Sequence, residues 1–176
     1  MVIKPTALDG VFIIEPETIE DNRGYFSISF TKRDLDFDIK EENKSFNARS
    51  GTIRGLHLQN SPHSQSKLIS CLKGRLIDIA VDLRKDSKTY KKWISVELSE
   101  DNLKQIFIPK GFAHGFITLE DNTELEYKVD DYYSESLDRS IRYDDPDLGI
   151  NWKVKEPIIS EKDKLAPLLK DCDIKI

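Results

Sequence analysis

The chain has 176 residues, the length of one ordinary domain, which can bury a substantial core without disulfide or metal staples. With 27 basic and 32 acidic residues, a formal net charge of −5 argues against a surface built for bulk nucleic acid or anionic membrane, while a few local arginines remain free to hold an anionic small ligand. The N-terminus, Met1-Val-Ile-Lys-Pro-Thr-Ala-Leu-Asp-Gly, lacks a secretory pattern, and no stretch approaches the ~20 apolar residues of a membrane span, so a cytoplasmic protein is expected.

In chain order, Thr31 to Asp36 is the first stretch that admits a helical turn. The middle of the chain reads as strands, because its apolar residues come in short runs or strict alternation. Lys67-Leu-Ile-Ser-Cys-Leu72 is one such run, and it predicts that Cys71 is a free buried thiol. Cys172 is the only other cysteine, which suits a reducing compartment. Leu76-Ile-Asp-Ile-Ala-Val-Asp-Leu83 is a second run. In Trp93-Ile-Ser-Val-Glu-Leu98, Ile94, Val96 and Leu98 share one face, and Ser95 and Glu97 take the other. A helical turn is expected at Asp101 to Lys104. Two short strands, Gln105-Ile-Phe-Ile-Pro109 and His114-Gly-Phe-Ile-Thr-Leu119, flank the turn Pro109-Lys-Gly-Phe112. Leu125, Tyr127 and Val129 then alternate with Glu124, Glu126 and Lys128. After this the chain turns helical only beyond Ser160, where Ser160-Glu-Lys-Asp163 resembles a capped helix start.

Turn signals such as Lys73-Gly74, Arg84-Lys-Asp-Ser87 and Glu120-Asp-Asn122 recur about every ten residues, the pattern of a sandwich or barrel. There is no repeat and no linker, so residues 1–176 are expected to form a single all-β domain, a closed antiparallel sheet with short helical segments and terminal arms. Such a barrel keeps a ligand cavity at its mouth or fills it with side chains. Lys67, Asp78, Asp82 and Tyr127, each set among apolar strand neighbours, are the candidates for polar cavity residues.

Of the three histidines, His63 in Ser61-Pro-His-Ser64 reads as an exposed loop residue. His114, between Phe112 and Phe116, is equally well structural or ligand-facing. His57, in Arg54-Gly-Leu-His-Leu-Gln59, follows a glycine that permits close backbone approach. Taken alone it stays open between a hydrogen-bonded core histidine and a general base. No His-x-His pair, Cys-x-x-Cys pair or His-Glu-x-x-His helix is present, so no metal is expected. Phosphate-loop, dinucleotide and serine-elbow fingerprints are also missing, so no cofactor is expected. Acid–base chemistry by His, Tyr, Lys and Asp remains.

Several ordered strings carry a resemblance. They are Asp21-Asn-Arg-Gly-Tyr-Phe26, Thr52-Ile-Arg-Gly-Leu-His-Leu-Gln59, Gln65-Ser-Lys-Leu68 and Asp78-Ile-Ala-Val-Asp-Leu-Arg-Lys-Asp-Ser87. Ile108-Pro-Lys-Gly-Phe-Ala-His-Gly-Phe116, Tyr127-Lys-Val-Asp-Asp-Tyr-Tyr133, Asp144-Asp-Pro-Asp-Leu-Gly-Ile-Asn-Trp152 and Ile159-Ser-Glu-Lys-Asp163 follow. Through them the chain resembles the dTDP-4-dehydrorhamnose 3,5-epimerase family, cupin-type epimerases of nucleotide-linked deoxysugars.

The resemblance implies a homodimeric cupin-type β jelly roll acting on a nucleotide-diphosphate sugar without cofactor or metal. It casts His57 as general base, Asp163 as the carboxylate that orients it, Tyr127 as the opposing acid and Lys67 as the group that stabilises the enolate, with His114 assisting. Each role has a chemical reason. A carbon acid beside a ketone ionises only where the charge arriving on oxygen meets a preorganised donor or cation, and inversion needs a second group to return a proton from the other face. Arg23 and Arg54 are implied to pair with the diphosphate, Tyr133 to stack on the base, and Glu41, Asn43 and Asp138 to complete the substrate-binding set.

Two positions depart from the family pattern. Ile28, in Tyr25-Phe-Ser-Ile-Ser29, replaces an acidic residue. Glu41-Glu42-Asn43 stands where the family carries Gln-Asp-Asn, and an ionised glutamate accepts hydrogen bonds without donating them. Glu41 is accordingly expected to accept the imide proton of thymine or to read another base such as guanine. The leading expectation is inversion at C3 and C5 of a dTDP-linked 4-keto-6-deoxyglucose. Its rivals are a C3-only epimerase, an epimerase of another nucleotide sugar, and a non-catalytic cupin-like sugar-binding protein.

Overall fold

The computed structural model describes residues 1–176. Its strands are β1 (Val2–Pro5), β2 (Phe12–Glu15), β3 (Thr18–Asp21), β4 (Gly24–Ser27), β5 (Glu41–Asn47), β6 (Ile53–Gln59), β7 (Lys67–Lys73), β8 (Arg75–Asp82), β9 (Trp93–Ser99), β10 (Gln105–Ile108), β11 (Phe112–Thr118), β12 (Thr123–Val129) and β13 (Asp138–Ser140). The one α-helix, α1, spans Glu161–Lys164. A six-stranded sheet, ordered β1-β2-β10-β7-β12-β5, faces a five-stranded sheet, ordered β13-β6-β11-β8-β9, while β3 and β4 pair only with each other. The all-β jelly roll expected from turn spacing and alternation is what forms.

The core lies between the two sheets. Ile69, Cys71, Leu76, Ala80, Val96, Leu98, Ile106, Phe116 and Leu125 are among the side chains buried there. Burial pushes the free Cys71 thiol up to about 11, so it stays a packed thiol. A second cluster covers the outer face of the five-stranded sheet, where Ile79, Val81, Ala113 and Ile117 meet Ile141, Leu148, Ile150, Trp152 and Leu169 of the C-terminal segment. Being covered on both faces is why β8 reads as a continuous apolar run, whereas β9, with Ser95 and Glu97 exposed, reads as an alternation. No helix is long and apolar enough to cross a membrane.

Two expected helical turns do not form helices. At Thr31 to Asp36 a single turn closes through Asp34 N–H and Leu35 N–H onto the Thr31 carbonyl. It stops there because Phe30, Leu35 and Phe37, spaced five and two apart, pack onto Ile14 and Leu68 and keep the chain extended. At Asp101 to Lys104 the side chain of Asn102 accepts from the N–H groups of Ser99 and Lys104. Ser99 Oγ accepts from Asn102 N–H, and Leu103 takes a left-handed φ of 54°, so local side-chain bonds displace the helix. The expected cap at Ser160 is present, its hydroxyl accepting from Asp163 N–H at 3.1 Å.

Asp82 is not a cavity residue. It lies at the end of β8, where its carboxylate accepts from the Arg84 guanidinium, Ser87 Oγ and Thr89 Oγ1. Burial pushes this carboxyl up, but these bonds outweigh it and hold it well below the usual range, as befits a staple for the 84–89 loop.

Candidate active site

A cleft of about 630 Å³ opens between the sheets and is lined by Glu41, Asn43, His57, Lys67, Tyr127 and Tyr133, with Gln59, Gln65, Asp138 and Lys162 around them. One wall follows directly from strand register. Tyr127 lies opposite Asn43 on one side and Ile69 on the other, and Val129 lies between Glu41 and Lys67. With side chains alternating, these odd-numbered residues of β5, β7 and β12 all face inward.

The other wall depends on a bulge. His57 pairs with His114 and Arg54 with Phe116, so three residues of β6 span two of β11. Residues three apart on a regular strand would face opposite sides; the extra residue returns Arg54 and His57 to the same one. Gly55 makes this possible, with φ of 130° and a position where an added Cβ would lie 2.6 Å from Gly115 Cα.

His57 Nε2 bonds Asp163 Oδ1 at 2.7 Å, and the second carboxylate oxygen accepts from Gly55 N–H at 3.3 Å. An ionised carboxylate only accepts, so Nε2 carries the proton and the Nδ1 lone pair is left free. Burial pushes the Asp163 carboxyl up; the His57 bond and charge and the Gly55 N–H more than offset this and set it below its ordinary value. Because α1 is capped at Ser160, Asp163 sits in the first turn at a defined angle to β6.

Across the cleft, burial drives the Tyr127 phenol well above its ordinary value, against opposing effects of Ser45 and Arg54, so it keeps its proton. Burial lowers the Lys67 ammonium, while Asp138, Asp130 and Glu41 support its charge. Its Nζ donates to Gln65 Oε1 at 3.0 Å. His114 stands edge-on to Tyr127, ring centroids 6.0 Å apart, and its Nε2 bonds the wholly buried Asp78 at 2.8 Å. No three His, Cys, Asp or Glu side chains gather into a metal-binding cluster.

Tyr133 occupies the rim on a braced loop. Gln59 donates to the carbonyls of His63 and Tyr132 and accepts from Ser134 N–H, and Gln65 donates to the Asp131 carbonyl. Asp138 bonds Lys162 Nζ at 2.6 Å. Gln59, Gln65 and Lys162 escaped the sequence reading as site residues, although all three lie inside the matched strings; Lys162 directly precedes Asp163. Arg54 sits just beyond the cleft, bonded to Asn47 Oδ1 at 2.8 Å and to the Phe46 carbonyl.

Arg23 is not brought to the cleft of its own chain. It lies at the tip of the β3–β4 hairpin, 85% exposed, and pairs with Asp21. The hairpin bonds to neither large sheet, so nothing carries the guanidinium inward.

Acid–base chemistry on a carbon acid is what such a cleft can do, and the jelly roll around it is of the cupin type. A family model described as dTDP-4-dehydrorhamnose 3,5-epimerase matches residues 5–171. A dTDP-4-dehydrorhamnose 3,5-epimerase of Sinorhizobium fredii is 43% identical, the match covering 100% of this chain and 92% of the relative. The crystal structure of a protein of that name from Bacillus anthracis, with TDP and PPi bound, superposes with a TM-score of 0.93 at 43% identity, over 96% of this chain and 99% of that one. A dTDP-6-deoxy-D-glucose-3,5-epimerase from Legionella pneumophila, in complex with dTDP-4-keto-L-rhamnose, gives 0.92 at 39% identity, over 99% and 98%. The chain belongs to the dTDP-4-dehydrorhamnose 3,5-epimerase family and is an isomerase-class enzyme.

Proposed function

We propose that this enzyme inverts C3 and C5 of dTDP-4-dehydro-6-deoxy-D-glucose to give dTDP-4-dehydro-L-rhamnose. The observation that carries the proposal is the His57–Asp163 pair facing the protonated Tyr127 and Lys67 across one cleft. Nδ1 of His57 removes the proton beside the C4 ketone, and the bond's electron pair moves to the keto oxygen. Lys67 and His114 meet the developing charge there. Tyr127 gives its proton to the opposite face of the carbon, which inverts it. His57 then loses its proton to water and Tyr127 regains one, and the cycle repeats at the second centre.

Tyr133 stacks on the base, Arg54 pairs with the diphosphate, and Asn43 and Asp138 contact the substrate. Arg23 serves the cleft of a second copy in a homodimer. Its hairpin exposes Ile19 (68%), Phe26 (66%) and Tyr25 (57%), an apolar surface suited to burial against a partner. The free thiols support a reducing cytoplasm.

Incubation in deuterated water with NMR detection tests the chemistry. The expected result is deuterium at both C3 and C5, none with His57→Asn, and exchange without inversion in Tyr127→Phe. Exchange at C3 alone would refute the double inversion, and retained exchange in His57→Asn would refute the base.

A further inference from the structure

On the reading that a nucleotide sugar occupies this cleft, we propose that residues 173–175 form a clasp that holds the cleft wall running from Tyr133 to Asp138, with Asn60 and Arg139 as the positioning residues that tie the wall to it. The family match ends at residue 171, so the clasp lies beyond it. β6 ends at Gln59, and neighbouring residues of an extended chain point to opposite sides. Gln59 turns to the rim, where it holds the Tyr132 carbonyl and Ser134 N–H. Asn60 turns away and is fully buried. A buried amide needs an acceptor at one end and a donor at the other, and both come from the same short segment. Nδ2 donates to the Asp173 carbonyl at 2.8 Å, and Oδ1 accepts from Lys175 N–H at 2.9 Å. The main chain adds Ser61 N–H to the Lys175 carbonyl at 2.8 Å and Asn60 N–H to the Leu137 carbonyl at 2.9 Å.

Arg139 closes the knot from the other side. It lies on β13, the edge strand of its sheet, which has β6 on one flank only. Its Nη1 donates to the carbonyls of Ser136 and Asp138, and its Nε to the Asp173 carbonyl at 3.2 Å. One carbonyl, that of Asp173, thus receives a donor from the end of β6 and another from β13. Ile174 packs against the apolar cluster on the outer face of the five-stranded sheet and so anchors the clasp to the core.

The wall between these ends is a single 3-10 turn, Glu135–Leu137, with no buried residue, so apolar packing contributes little to its order. Gln59 holds its start, while Asn60, Arg139 and Asp173 hold its end. Asp138, next in the chain, lines the cleft and takes Lys162 Nζ at 2.6 Å. His57 and Asp163 are fixed separately, by the β6–β11 ladder and the Ser160 cap. Releasing the clasp therefore lowers the fraction of molecules with a formed wall, and the apparent affinity with it, and leaves the His57–Asp163 pair in place.

Titration calorimetry with dTDP reads affinity, and solvent deuterium exchange with saturating dTDP-4-dehydro-6-deoxy-D-glucose reads turnover. A chain shortened after Cys172 is expected to bind dTDP about tenfold more weakly, with kcat within about twofold of the wild type. Asn60→Ala should reproduce that loss in the full chain and add less than about twofold in the shortened one, where both partners of its amide are already gone. A segment that only stabilised the fold would lower the melting temperature and the binding stoichiometry and leave the dissociation constant unchanged. That result, or a shortened chain whose kcat falls as far as its affinity, overturns the proposal. If the wild type binds no dTDP, this inference and the functional reading fall together. If it binds dTDP but exchanges no deuterium, only the functional reading falls, and the dissociation constants still decide the clasp.

Discussion

His57 and His114 lie opposite each other on one rung of the β6–β11 ladder, and each bonds an aspartate through Nε2, yet the two pairs are tuned in opposite directions. Burial pushes both carboxyls up. For Asp163 the His57 bond and charge, Gly55 N–H and Lys162 outweigh it, and the net shift is downward. Asp78 has only His114 against complete burial, its Oδ1 has no partner, and the net shift is upward. The ionised form is thus favoured at Asp163, as the proposed role of orienting His57 requires, and disfavoured at Asp78. The pairing itself does not set the role. Depth of burial and the number of donors the carboxylate receives do.

Ordered from the largest effect, His57→Asn should reduce solvent exchange by about 10³-fold or more. Asp163→Asn should lower kcat by about 10²-fold with KM nearly unchanged, because tautomer and imidazolium stabilisation matter in the transition state and not in binding. Asp78→Asn should cost only about tenfold in kcat. Equal losses for Asp163→Asn and Asp78→Asn in steady-state kinetics would erase the distinction between the pairs.

The alkaline limb of the kcat profile should come from Lys67, whose ammonium burial lowers, and not from Tyr127, whose phenol burial raises. Lys67→Arg, charged throughout, should move that limb to higher pH. An unmoved limb would show that another group sets it.

The smallest effect concerns stability. A depressed Asp163 contributes stability that is fully present above the ordinary value of 3.8 and is lost as pH falls through its folded value. A raised Asp78 has the opposite sign, its contribution being present below 3.8 and lost as pH rises through its folded value. Melting temperatures against pH should show Asp163→Asn flattening the acid decline and Asp78→Asn flattening the loss on the rising side.

Much of the framework was legible in the chain. Alternation placed β9 and β12, and Ser160 marked the start of α1. The matched strings named His57, Lys67, Tyr127 and Asp163, which one cleft does assemble, Asp163 as the buried partner behind His57. Other features were illegible because they depend on neighbours distant in sequence. Counting residues puts Arg54 and His57 on opposite faces, and only pairing with β11 shows the bulge that brings them to one side. Arg23 read as a diphosphate ligand, and only the structure shows that its hairpin joins neither large sheet and so leaves it outside the cleft of its own chain. Glu41 read as a base contact, and only the structure shows that its carboxylate also accepts from Asn43 Nδ2 and, at 3.5 Å, from Tyr133 N–H.

The sequence by itself determined the strand order's raw material, the acid–base repertoire and, through its strings, the family. Tertiary structure alone decided which nitrogen of His57 meets a carboxylate and in which direction burial and hydrogen bonds shift each aspartate. Those are matters of burial and of bonds between strands and a helix up to 108 residues apart, as between Gly55 and Asp163, and no local pattern encodes them.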